Sequence, residues 1–198
     1  MSQTDNLERQ LAFLVEIDKL KTILRRNYVV HADRRENSAE HSWHLVMTAL
    51  ILAEHTNEPI DLDRVLRMLV IHDIIEVDAG DTFLYDTAGY ESKVAREQQA
   101  ADRIFGLLPA DQGKEIRGLW DEFESRETAE SRFAYAVDRF ISILHNKETR
   151  GKGWRENGVT KSQVLKFNKG IADGSIFLWD RVQHIVDQAA KEGILPET

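Results

Sequence analysis

An all-α fold is predicted by three features of this 198-residue sequence. Only three prolines occur, at positions 59, 109 and 196, and each falls between or beyond periodic segments. Apolar residues recur at three- and four-residue spacing over long stretches, and no stretch alternates strongly with the period of two that marks a half-buried strand. The hydrophobic fraction of 42% and aromatic fraction of 8% are those of an ordinary globular chain. No repeat, low-complexity tract or linker interrupts the pattern, so residues 1–198 are expected to form one domain.

The first helix is expected from about Leu7 to Arg26, with Leu7, Leu11 and Leu14 in one row and Val15, Leu20, Ile23 and Leu24 widening it. A polar connection follows from Asn27 to Asn37. The second helix starts at Asn37 or Ser38, because Asn37 and Glu40 have the spacing of a capping box. His41, Leu45, Thr48 and Leu52 then share a face at period four. Pro59 breaks the chain, and Asp61 can cap a third helix carrying Val65, Leu69, His72, Asp73 and Glu76. Gly80 reads as the left-handed residue that ends it, with irregular chain to about Gly89. Helices over about Tyr90–Leu108 and Ala110–Phe123 are separated by Pro109. A sixth, Ala129–Asn146, has an apolar centre interrupted by Asp138 and Arg139. Lys147–Gly158 reads as a solvated basic loop. Segments around Lys161–Ile171 and Phe177–Lys191 close the chain, the last with enough apolar residues to cover the core or a second subunit.

Charge and composition exclude several functions. A net charge of −8 argues against general affinity for nucleic acid or anionic membranes. No apolar run approaches the ~20 residues that span a bilayer. Met1–Asp5 lacks the parts of a signal peptide, and no cysteine is present for a disulfide or thiolate. A cytoplasmic protein is expected. Any transition metal must be held by His, Asp and Glu.

Chemistry is expected where polar residues interrupt core faces. In Val70–Glu76, His72 and Asp73 stand in the run Leu66, Leu69, Val70, Ile71, Ile74 and Ile75. A buried carboxylate costs several kcal/mol unless it is paired or bound to metal. Either His72 and Asp73 satisfy each other and nearby backbone, or they bind a divalent cation. His41 and Asp138 lie on the apolar faces of two other helices, and bundles build metal centres from such facing groups.

The ordered set His41, His72-Asp73, Asp138 resembles the H…HD…D signature of the HD-domain metal-dependent phosphohydrolases. Ser38-Ala39-Glu40-His41-Ser42 is similar to the SEHS-type segment of their 5′-deoxynucleotidase branch. His72-Asp73-Ile74-Ile75-Glu76 with Gly80-Asp81 is similar to its HDxxE…GD segment. The resemblance covers about Leu7–Asn146. It implies an HD-domain helical bundle in which His41, His72, Asp73 and Asp138 hold one divalent ion (Mn, Co, Fe, Ni, Zn or Mg). Glu76 and Asp81 are then the catalytic acids, with their individual parts undecided. Arg25 matches the family arginine that contacts phosphate, with Arg26 beside it; Lys93, with Glu97, falls where the branch has a lysine and a glutamate. The implied activity is release of phosphate from (deoxy)nucleoside 5′-monophosphates by a metal-activated water, in a homodimer. The same centre acting on a dNTP, signalling nucleotide or sugar phosphate is the alternative, as is a non-catalytic sensor. Two departures are visible. Arg26 stands where deoxyribose-selective members carry a tryptophan, and Thr82–Tyr85 lacks their proline. His44 reads as packing or as a support behind the ligands rather than as a ligand itself, and His145 as having no constellation around it.

Overall fold

The computed structural model describes residues 3–86 and 90–197, and its helices follow the caps written in the sequence. Helix α1 (Gln3–Ile17) is followed by a 3₁₀ turn at Asp18–Thr22 and a hairpin of β1 (Leu24–Tyr28) and β2 (Arg35–Asn37). The strands pair antiparallel, Leu24 with Asn37 and Tyr28 with Arg35. Helix α2 (Ser38–Leu52) opens on the expected capping box: Glu40 N–H donates to Asn37 Oδ1 at 2.9 Å, while Glu40 reaches back to Asn37 N–H. Asp61 caps α3 (Leu62–Ile71) through Arg64 N–H. A one-turn α4 (Glu76–Ala79) follows, then α5 (Tyr90–Phe105), α6 (Ala110–Ser125) and α7 (Ala129–Glu148). The chain closes with α8 (Lys152–Glu156), α9 (Lys161–Asn168), α10 (Ile171–Gly174) and α11 (Ile176–Lys191). The expected irregular stretch before α5 ends in residues 87–89, which lie outside the described ones.

Helix α7 is the central post, with Phe133, Ala134, Ala136, Val137 and Ile141 all buried. Helices α2, α3, α6, α10 and α11 pack around it. The apolar cluster extends from Phe13 to Leu195, and α11 contributes Leu178, Val182, Ile185 and Val186 to it. The C-terminal helix therefore covers this core, leaving Ile176 and Phe177 outside.

Four expectations need correction. The first helix stops at Ile17 rather than Arg26, so Arg25 and Arg26 lie on β1. Ile23 is already extended and the β-favouring Tyr28 closes the strand, and the hairpin brings Arg25 to the buried carboxylate of Asp73. The Leu7–Val15 row is exposed, and Phe13 and Leu20 anchor the segment instead. The third helix breaks after Ile71: Ile74 N–H bonds to Ile71 C=O and Glu76 N–H to Asp73 C=O, each three residues back. His72 and Asp73 are both buried on this turn, with His72 Nε2 3.0 Å from Asp73 Oδ1, whereas Val70 in the last turn of α3 is exposed. Finally, Lys147–Gly158 is no solvated loop. Positive φ at Arg150 and Gly151 turns the chain into α8, which buries Trp154 against the body.

Candidate metal centre

Four elements bring their polar residues to one point beside α7. The capping box fixes the first turn of α2 and so the place of His41, which is fully buried. His41 Nε2 lies 3.0 Å from Asp138 Oδ1 on α7, and its Nδ1 lies 3.3 Å from Glu36 Oε2 on β2. The two imidazoles are tilted neighbours, with ring centroids 6.1 Å apart. One ligand atom from each of His41, His72 and Asp73 lies within 4.8 Å of the other two.

His72 shows what the cluster needs. Its Nδ1 lies 2.9 Å from the Leu69 carbonyl, which only accepts, so the proton is on Nδ1 and Nε2 carries a lone pair. That Nε2 is buried without a hydrogen-bond partner, 3.0 Å from Asp73 Oδ1. A lone pair facing a carboxylate in a dry interior repels it unless a cation, either a second proton or a metal ion, lies between them. Two imidazoles and two carboxylates, oriented by Leu69 C=O and Glu36, are a nitrogen–oxygen donor set suited to a divalent ion.

Arg25 provides positive charge in the same place. Its Nη1 donates to Asp73 Oδ2 at 2.9 Å and lies 3.7 Å from Asp81 Oδ1, while Nη2 lies 3.9 Å from Asp138 Oδ1. The electrostatics follow from burial opposed by neighbours. Burial alone would raise the Asp73 pKa, but His72 and Arg25 bring it down to about 2. Asp138 is held far below the usual carboxylate range, burial being outweighed by Arg139 and His41. Glu76, accepting from Ser38 Oγ at 2.6 Å, is pushed well up by burial and the Asp73 charge. Asp81 is also raised, by burial and Asp73 acting against Arg25. For His41 and His72, burial favours the neutral form, yet the adjoining carboxylates prevail and raise both.

A narrow cleft of about 70 Å³ lies against this cluster, lined by Arg25, Arg26, Asp81, Tyr85, Arg139 and Trp154. Leu84 and Arg139 also border a cavity of about 440 Å³ that contains Lys93 and Arg126 on its wall. Arg26 is thus on the cleft rim, exposed, whereas Lys93 lines the adjoining cavity, 3.5 Å from Glu97. Sequence reasoning missed Glu36 and the cleft-lining role of Arg139. Glu36 sits in the charged run Arg34-Arg35-Glu36, which reads as a loop until the hairpin buries it.

The helical fold and the histidine–carboxylate centre define a class of helical metal-centre proteins. A family model described as HD domain matches residues 17–179, and the chain belongs to the HD-domain family. A relative from Homo sapiens, 5′-deoxynucleotidase HDDC2, is 31% identical over 139 residues, covering 70% of this chain and 67% of that protein. The 5′-deoxynucleotidase hdd1 of Schizosaccharomyces pombe is 30% identical over 146 residues, covering 71% of this chain and 72% of its own. A crystal structure of a predicted metal-dependent phosphohydrolase from Magnetospirillum magnetotacticum MS-1 superposes with a TM-score of 0.90 at 50% identity, covering 96% of this chain and 98% of that one.

Proposed function

We propose that the protein is a metal-dependent phosphohydrolase that releases phosphate from nucleoside 5′-monophosphates, deoxynucleotides among them. In this reading His41, His72, Asp73 and Asp138 hold one divalent ion. The observation that carries it is the buried His72 Nε2, its lone pair aimed beside Asp73 with no hydrogen-bond partner. The names of the human and fission-yeast relatives support the substrate class. The donor set admits Mn, Co, Fe, Ni, Zn or Mg.

When bound, such an ion neutralises phosphate charge and acidifies water near neutral pH. The chain's own groups do the rest. Arg25 and Arg26 present guanidinium donors to phosphate oxygens at the cleft. Lys93 contacts the substrate from the neighbouring cavity. Glu76, with its raised pKa and its Ser38 hydrogen bond, orients the attacking water and takes its proton. Asp81 lines the cleft and gives its proton to the departing sugar oxygen as the P–O bond breaks. The products are nucleoside and inorganic phosphate.

A net charge of −8 supports a small substrate over a nucleic-acid polymer, and a chain without cysteine supports the cytoplasm. Exposed Trp43, Met47, Leu50 and Ile51 on α2 support a homodimer. A second reading, with a triphosphate as substrate, is favoured by Lys93, Arg126 and Arg139 around the adjoining cavity. Phosphate release from ribo- and deoxyribonucleoside mono-, di- and triphosphates, after metal stripping and reloading with Mn, Co, Zn or Mg, separates the readings. Monophosphate turnover is expected; release from triphosphates alone overturns the first reading.

A further inference from the structure

A second group of ligand-bearing side chains lies on the other side of Glu36. His44 on α2, His145 on α7 and Glu36 on β2 each offer one ligand atom within 4.8 Å of the other two. Glu36 and His145 are buried, at 3% and 5% exposure, and His44 is half-buried. His145 Nε2 lies 3.2 Å from His44 Nδ1, and the rings lie 5.0 Å apart between centroids. His145 Nδ1 lies 3.8 Å from Glu36 Oε1 and has no hydrogen-bond partner although buried.

Protons do not complete this arrangement. A neutral imidazole has one N–H. If His145 gives it to His44, its Nδ1 lone pair faces the Glu36 carboxylate. If the proton sits on Nδ1, 3.8 Å is too long for a hydrogen bond. A cation held by one nitrogen of each ring and by a Glu36 oxygen takes up a buried lone pair that no proton here satisfies. We propose that Glu36, His44 and His145 form a second divalent transition-metal site. Two imidazoles and a carboxylate are a donor set of the Zn, Co or Ni class.

The group is reached from outside. The half-buried His44 faces a cavity of about 460 Å³ whose wall includes Val30, His31, Trp43 and Glu148. The ligands come from three elements, so an ion here ties the hairpin to α2 and α7. Glu36 spans both clusters: Oε1 faces His145, while Oε2 lies 3.3 Å from His41 Nδ1. The site does not depend on the hydrolytic reading, because none of its three ligands is assigned to the substrate or to the first ion.

Cobalt(II) added to the chelator-stripped full-length chain tests it, read as bound cobalt per chain after dialysis and by visible absorption. A His72→Ala/Asp73→Ala double variant removes the first centre. It should still bind one cobalt per chain, and adding His44→Gln should abolish that binding and its absorption. His44 is chosen because its half-buried position keeps the fold intact, which circular dichroism verifies. In the wild-type background, His44→Gln alone should lose one cobalt per chain. No cobalt in the double variant, or cobalt unchanged by His44→Gln in both backgrounds, overturns the proposal. Failure of the first centre reads differently: His72→Ala/Asp73→Ala then releases no cobalt, while the His44→Gln loss remains.

Discussion

At the residue scale, Glu76 and Asp81 differ in where they sit. Glu76 is held from behind by Ser38, whereas Asp81 opens onto the cleft beside Arg25. Glu76→Gln should lower kcat by about 10²–10⁴-fold, the range for losing a general acid or base. Its metal content should stay unchanged, as measured by steady-state kinetics with metal analysis. Protonation gives a second expectation. The pKa values of His41 and His72 are raised in the folded chain, so their contribution to stability is full below about 6.5. That contribution fades as pH rises through the raised values. The metal-stripped protein should therefore lose thermal stability from pH 6 to 9, and added metal, replacing those protons, should raise Tm most at the alkaline end. Asp73 acts oppositely. Its pKa of about 2 stabilises the fold above the ordinary carboxylate value, and that stability is lost as pH falls toward 2. His41, His72, Asp73 and Asp138 could be picked out in the sequence because each is polar on an otherwise apolar helical face. Glu36 and His145 could not: their meeting needs β2 and α7, over a hundred residues apart, to be packed together.

At the element scale, the legible features were those written within four residues. The Asn37–Glu40 box and the Asp61 cap were visible because their donors and acceptors are neighbours in sequence. Asn37→Ala should cost about 1 kcal/mol in urea unfolding, and through the first turn of α2 it should also weaken metal binding at His41. Phe133→Ala, in the fully buried centre of α7, should cost about 3–5 kcal/mol. Less legible were the end of α1 and the break in α3, because each is decided by distant partners. Arg25 on β1 meets Asp73 and Asp138, and the chain after Ile71 changes to bonds three residues back beside Asp73. Trp154 was hidden by its neighbours: a basic, glycine-rich run reads as solvent-facing until Gly151 turns the chain back onto the body.

At the scale of the whole molecule, α7 holds the core on one side and Asp138 on another, so stability and the centre share one post. The apolar row on α2 remains uncovered, with Trp43 at 67% and Ile51 at 68% exposure. In the proposed homodimer, Ile51→Glu should give a 22.8 kDa monomer in light scattering, with helicity unchanged; an unchanged mass would place any partner surface elsewhere. The central claim is that one divalent ion, held by His41, His72, Asp73 and Asp138, is needed for phosphate release. The most direct measurement is the metal content and deoxynucleoside 5′-monophosphate turnover of Asp73→Asn beside the wild type, at equal protein and metal. The account predicts that the variant stays folded, loses about one ion per chain and loses turnover with it. Full turnover by Asp73→Asn without that ion would contradict it.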